Sequence, residues 1–133
     1  MIRLAAACLT LLAAPAGAES VAFVQAPEQA SGIRFAEDIE TAIDGAMEEC
    51  VAGGAYAEDC EVTTACAFAG WSIDIFAQHE QGNHWHESFC GLPEEAVAID
   101  VAAKICDAEA RPWLIECALV QVWAPDGTPQ MEW

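Results

Sequence analysis

Apolar residues recur at helical spacing in two parts of the chain. In the first part they recur every three or four residues, which is typical of a helix with one buried face. They are Phe35, Ile39, Ala42, Ile43, Ala46, Met47 and Cys50. Acidic residues at 37, 38 and 40 suit the positive end of a helix dipole, and Gly53-Gly54 is a typical helix stop. The pattern predicts a helix that begins near Glu37 and ends at the glycine pair.

A second helix is predicted from Pro93 to Cys106. Proline is tolerated in a first helical turn because the amide it lacks would be unpaired there anyway. The polar residues Asp100 and Lys104 lie one turn apart, so the exposed face of this helix is narrow. We therefore expect it to be the more buried helix of the two.

Each predicted helix is followed by the same order of cysteines and strand-like residues. A cysteine ends the helix, a second cysteine follows after nine or ten residues, and a β-rich run comes next. The cysteines are Cys50 and Cys60, then Cys106 and Cys117; the runs are 61–67 and 118–123.

The segments before the two helices also resemble each other. Phe23-Val24-Gln25 is matched by Phe76-Ala77-Gln78, and a glycine-containing pair follows each of them. These pairs, Ser31-Gly32 and Gly82-Asn83, predict hairpin turns. The chain is therefore predicted to duplicate a strand–hairpin–helix–strand unit, with halves at about 19–67 and 68–133. The expected fold class is α+β: one domain over 19–133, in which two helices pack on an antiparallel sheet.

The repeat limits the possible disulfides. A helix that packs on a sheet ends near the start of the next strand, which favours the pairs Cys50–Cys60 and Cys106–Cys117. Six cysteines allow 15 pairings, and these two pairs leave Cys66 and Cys90. Neither of the two has a counterpart in the other repeat, so their default is to bond each other.

The N-terminus has the features of a cleavable secretory signal. A short positive start, an apolar run from Leu4 to Ala14 and the small residues 16–18 predict a signal peptide over 1–18. A buried N-terminal helix is the alternative, but Pro15 and Gly17 would break it. A lipid anchor at Cys8 is a second alternative to a signal peptide, although that cysteine lies too early for an anchor, inside the apolar run. Cleavage would leave six cysteines, the even number expected of a disulfide framework in the periplasm or outside the cell.

The charge of the chain is strongly negative. It has 22 aspartates and glutamates, and after cleavage only Arg34, Lys104 and Arg111 would oppose them, for a net charge near −19. Nucleic acids and anionic membranes attract basic proteins, so neither is an expected partner. No second long apolar segment follows the signal, so no membrane insertion is expected after cleavage. The charge favours cationic partners or metal ions, although it also serves solubility alone.

Part of the chain resembles a family of small exported bacterial proteins that is catalogued only as a domain of unknown function. The similarity lies in the order of Ala42–Cys50, Cys60–Val62, Cys66 and Gly70-Trp71. The resemblance implies paired cysteines on a compact α+β unit and implies no catalytic residues. The chain departs from the family in the inserted segment Gln78–Cys90.

All three histidines fall in that inserted segment. On a strand, His84 and His86 point to one face, and a hairpin turn at Gly82-Asn83 would bring His79 beside them. Imidazole suits zinc or copper, with Glu80 or Glu87 as a further carboxylate ligand. The alternative is an exposed polar hairpin face whose Trp85 and Phe89 turn into the core.

No motif for nucleophilic, phosphate or established metal chemistry occurs in the sequence. The first expectation is therefore an exported, periplasmic or secreted protein without enzymatic activity, which binds an unknown protein or small ligand or has a structural role. The alternatives are a copper- or zinc-binding protein that uses the histidine cluster and an acidic inhibitor of a cationic hydrolase of the cell envelope.

Overall fold

The computed structural model describes residues 19–132, so the predicted signal peptide over 1–18 lies outside the described residues. The first unit consists of β1 (Ser20–Ala26), β2 (Ala30–Ala36), α1 (Ile39–Ala52), a single 3-10 turn (Ala57–Asp59) and β3 (Glu61–Cys66). The second unit consists of β4 (Trp71–His79), β5 (His84–Leu92), α2 (Glu95–Ile105) and β6 (Leu114–Trp123). No helix in the range 19–132 is long and apolar enough to cross a membrane.

Each unit forms its own three-stranded antiparallel sheet. The first strand of each hairpin lies in the centre, which gives the orders β2-β1-β3 and β5-β4-β6. The predicted α+β class with two helices is confirmed, but the strands form two sheets where one was expected. The shared element order and strand order suggest the predicted duplication.

The residues of β1 explain why its sheet is covered on both faces. Alternate side chains of a strand point to opposite faces, and β1 is apolar on both of them. Ala22 and Val24 pack against α1, whereas Val21 and Phe23 pack in a separate cluster with residues of the second unit. A strand of this kind must be covered on both sides. The inner faces of the sheets therefore pack on each other, and each helix covers the outer face of its own sheet.

The predicted hairpin turn at Gly82-Asn83 is confirmed, but the one at Ser31-Gly32 is wrong. The first turn is made by Pro27–Gln29, with Glu28 in the left-handed region at a φ of 62°. Gly32 lies inside β2, where α1 crosses it so closely that a β-carbon would collide with the carbonyl oxygen of Ala46. That glycine therefore serves helix–sheet packing.

The predicted helices differ from the observed ones in detail. Asp38 caps α1 by accepting the amide hydrogen of Thr41 at 2.8 Å, so the helix begins after this residue. Phe35, which was predicted to lie on the helix, belongs to β2. The expectation that α2 is the more buried helix is wrong. Only two residues of α2 are buried against three of α1, and Ile99 is 46% exposed. With 11 residues against 14, α2 is also the shorter helix.

Three disulfides connect the elements as expected. Cys50–Cys60 and Cys106–Cys117 each join the end of a helix to the following strand. Cys66–Cys90 joins β3 to β5 and therefore links the two sheets. Crosslinks of this kind restrict the unfolded chain and are typical of proteins in oxidising compartments.

An ion pair fastens the loop after α2 to β5. The guanidinium of Arg111 donates to both carboxylate oxygens of Glu87, at 3.1 and 2.6 Å, and the Trp85 indole donates to the same carboxylate at 2.9 Å. Burial acts to raise the pKa of Glu87, but the hydrogen bonds from Arg111 and Trp85 outweigh it and leave the pKa lowered. The carboxylate therefore stays ionised while the loop is docked.

Candidate functional site at the junction of the two sheets

The interface between the sheets has an apolar end and a polar end. At the apolar end the Trp123 ring lies 5.8 Å from Phe23 and 6.2 Å from Phe35, measured between ring centroids. At the polar end, four side chains on the facing strands meet. They are Gln25, Asp74, His86 and Ser88, and we call them the junction cluster.

Gln25 attaches the first unit to the backbone of β5. Its side-chain oxygen accepts the amide hydrogen of His86 at 2.6 Å, and its side-chain nitrogen donates to the carbonyl of the same residue at 3.1 Å. Because β5 is an edge strand, these backbone groups have no neighbouring strand to pair with. The amide of Gln25 takes the place of that strand and is itself buried.

Asp74 holds the His86 ring. One carboxylate oxygen lies 2.7 Å from Nδ1 of His86, and the other accepts the hydroxyl of Ser88 at 3.2 Å. The hydrogen bond to Asp74 raises the pKa of His86; burial opposes this and the negative charge of Asp74 adds to it. The serine hydroxyl donates to the same carboxylate, so Asp74 orients both Ser88 and the His86 ring.

A cleft opens beside the junction cluster, between the β1–β2 turn and β5. Its volume is about 200 Å³, and both units line it. The first unit contributes Gln25, Ala26 and 28–31, and the second contributes His84, Trp85 and His86. No lysine or arginine is among the lining residues. We call this space the turn cleft.

The β1–β2 turn that borders the cleft is hydrogen-bonded to the segment between α1 and β3. The side chain of Gln29 donates to Asp59 at 2.8 Å and accepts the amide hydrogen of Tyr56 at 3.3 Å. Its neighbour Glu28 has a carboxylate 53% exposed, 3.8 Å from Nδ1 of His84. The turn is therefore fixed by the first unit and presents one carboxylate toward the second.

The structure brings together two of the three predicted site histidines. His84 and His86 lie on the same face of β5, and both rings contact Phe76, at 5.6 and 5.7 Å between centroids. The third, His79, follows Gln78, the residue of β4 that pairs with His84, so strand alternation points it to the opposite face. Its Nδ1 accepts the amide hydrogen of Gln81 at 3.1 Å.

The alternative prediction for this hairpin placed Trp85 and Phe89 in the core, on the face opposite His84 and His86, and left the histidine face exposed. Phe89 packs into the cluster beneath α2, as expected of a core residue. The face with His84 and His86 is directed at the first sheet, and His86 is only 32% exposed. Within the described residues, no group of three histidine, cysteine, aspartate or glutamate side chains is arranged to hold a metal ion. The metal hypothesis stays a prediction.

Sequence reasoning missed Gln25, Glu28 and Asp74. Asp74 did carry a signal, because it stands between Ile73 and Ile75 in a strand that is otherwise suited to burial. A carboxylate at such a position must face a polar partner across the sheet. That partner comes from another strand, so the sequence alone does not identify it.

Comparison of the chain with protein-family models, curated proteins and solved structures finds no significant match. The function is therefore inferred from the geometry and charge of the described residues.

Proposed function

We propose that this chain is an exported binding protein for cationic protein or peptide partners and has no enzymatic activity of its own. The proposal is supported mainly by the way in which the few positive charges of the protein are paired. Arg34 pairs with Glu49 at 2.7 Å, and Arg111 pairs with Glu87 at 2.6 Å. Each arginine is thus paired with a glutamate, and Lys104, exposed on α2, is left against a large excess of surface carboxylates.

The anionic surface extends over opposite sides of the molecule. Glu40, Asp44 and Glu48 are exposed on α1, and Glu95 and Asp100 are exposed on α2, which covers the other sheet. Charges spread in this way attract a cationic partner from any direction and raise its rate of association. The three disulfides keep the surface in one arrangement, which lowers the entropic cost of binding.

The alternative of an acidic inhibitor of a cationic envelope hydrolase is one form of the same proposal. It requires the same surface and adds only that the partner is an enzyme. The size of the chain and its crosslinks support this form equally.

Binding to a basic peptide tests the proposal. Oxidised protein of residues 19–133 is titrated into a fluorescein-labelled oligolysine peptide, and anisotropy is followed at low and high salt. We expect saturable binding with one peptide per protein, which weakens strongly when sodium chloride is raised from about 25 to about 250 mM because salt screens exposed charges. A labelled oligoglutamate peptide of equal length is the control and should not bind.

Two results would contradict the proposal: no binding of oligolysine at low salt, or uptake of many peptides without saturation. The second result would show that the carboxylates act only as a diffuse cloud of charge.

A further inference from the structure

The turn cleft has the size and the lining of a subsite for one side chain. Its volume of about 200 Å³ lies below the roughly 300–1,000 Å³ of sites for whole small molecules. It opens to solvent between the β1–β2 turn of one sheet and the edge strand β5 of the other. A single long side chain of a partner fits this volume.

The charge of the cleft favours a cation. Glu28 supplies the one carboxylate among the residues that line the cleft, and no lysine or arginine there opposes it. Behind the turn, the carboxylate of Asp59 accepts from Gln29 and adds negative potential. Ser31 and His84 supply a hydroxyl and an imidazole, both of which accept hydrogen bonds.

Both walls of the cleft are fixed before a ligand arrives. On one side Gln29 braces the turn against Tyr56 and Asp59. On the other, Gln25 holds the backbone of His86. A ligand that enters therefore meets a backbone that is already in place, and only the side chains of the cleft need ordering.

We propose that the turn cleft binds the cationic end of a lysine or arginine side chain presented by the partner, with Glu28 as its counter-ion. The proposal rests on the proposed function and adds the place of recognition. The carboxylate of Glu28 pairs with the ammonium or guanidinium group, and the hydroxyl of Ser31 accepts a further hydrogen bond from it. The long-range charge of the surface gathers the partner, and the cleft fixes its register.

A matched pair of variants tests this assignment with the same oligolysine peptide, in the presence of EDTA so that no metal bridges the two molecules. Glu28→Gln removes the carboxylate of the cleft. Glu37→Gln removes one exposed negative charge beyond the opposite end of the β1–β2 hairpin, because β1 and β2 pair from Ala26 and Ala30 at the turn to Ser20 and Ala36 at the far end. Both variants change the net charge equally and both sites are exposed, so circular dichroism should show an unchanged fold.

We expect Glu28→Gln to weaken binding about fivefold, the loss of one partly exposed ion pair, and Glu37→Gln to change it by less than about twofold. Equal effects of the two substitutions, or none from either, would overturn the cleft assignment while leaving the proposed function in place. If the wild-type protein does not bind the peptide, both proposals fall together.

Discussion

The junction cluster predicts a stability that depends on pH through one histidine. The substitution Asp74→Asn keeps the shape of the side chain and removes its charge. In the wild-type protein, the hydrogen bond to Asp74 raises the pKa of His86 above its usual value of 6.5. A group whose pKa is raised by folding contributes stability that is fully present below its unfolded pKa. That contribution is lost as the pH rises through the folded pKa.

The expected magnitude follows from the two contacts. Asp74 is only 8% exposed and accepts at 2.7 Å from His86 and at 3.2 Å from Ser88. A hydrogen bond to a charged group contributes about 1.5–3 kcal/mol. The partial exposure of His86 and the acceptor that asparagine retains both reduce the loss. We expect Asp74→Asn to lower the free energy of unfolding by about 1–2 kcal/mol near pH 5.5. Near pH 8.5 the loss should fall below about 1 kcal/mol, because the histidine is neutral there and the desolvation of the carboxylate is relieved.

Urea unfolding followed by tryptophan fluorescence measures the difference at both pH values. Asp100→Asn, an exposed change on α2, is the control and should shift stability by less than about 0.5 kcal/mol at either pH. Since both variants lose one negative charge, general repulsion cancels between them. A loss for Asp74→Asn that is equal at the two pH values, or larger at high pH, would refute the reasoning.

Three further predictions follow from the fold and the histidines. Gly32→Ala should destabilise the protein by about 3 kcal/mol or more in thermal unfolding, because the added β-carbon would meet the backbone of α1. Gly45→Ala is the control and should be tolerated, because the added β-carbon would meet only the flexible side chain of Arg34. Arg111→Met should cost about 1–2 kcal/mol at pH 7 in urea unfolding, against almost nothing for the exposed Lys104→Met. Most of the loss from Arg111→Met should disappear as the pH falls below 4.5 through the lowered pKa of Glu87, which leaves only the part due to the hydrogen bond from Arg111 to the Ile105 carbonyl at 3.3 Å; a loss of unchanged size in acid would contradict this. The third prediction concerns calorimetric titrations with Zn²⁺ or Cu²⁺. Replacing both His84 and His86 with alanine should abolish any tight metal site, whereas His79→Ala should leave it unaffected. A site that needs His79 would contradict the strand geometry.

The parts of the fold that sequence predicted are those that depend on local pattern. The periodicity from Ile39 to Cys50 and from Val97 to Ile105 belongs to the helices themselves, and the cysteine spacing reports the return from each helix to its strand. The turn at Gly82-Asn83 also depends on its own residues. For these features no distant contact changes the outcome.

The wrong predictions concern residues whose role is set by distant contacts. Gly32 has the composition of a turn, but its conformation follows from the crossing of α1, 14 residues away at Ala46. The division into two sheets depends on what covers the second face of β1, which its own sequence does not specify.

The candidate site shows the same limit more strongly. Gln25 and His86 are 61 residues apart and meet only because the inner faces of the sheets pack together. His84 and His86 were found because they are adjacent on one strand, whereas Glu28 and Asp74 were missed because their partners lie on other strands.

On our proposal, a cationic partner is recognised at one place on a strongly acidic protein. The most direct test is a titration of isotope-labelled protein with the oligolysine peptide, followed by amide ¹H–¹⁵N correlation spectra. We expect the largest shifts to cluster at residues 25, 26, 28–31 and 84–86, which line the turn cleft. Small shifts spread over the acidic faces of α1 and α2, with none concentrated at the cleft, would contradict it.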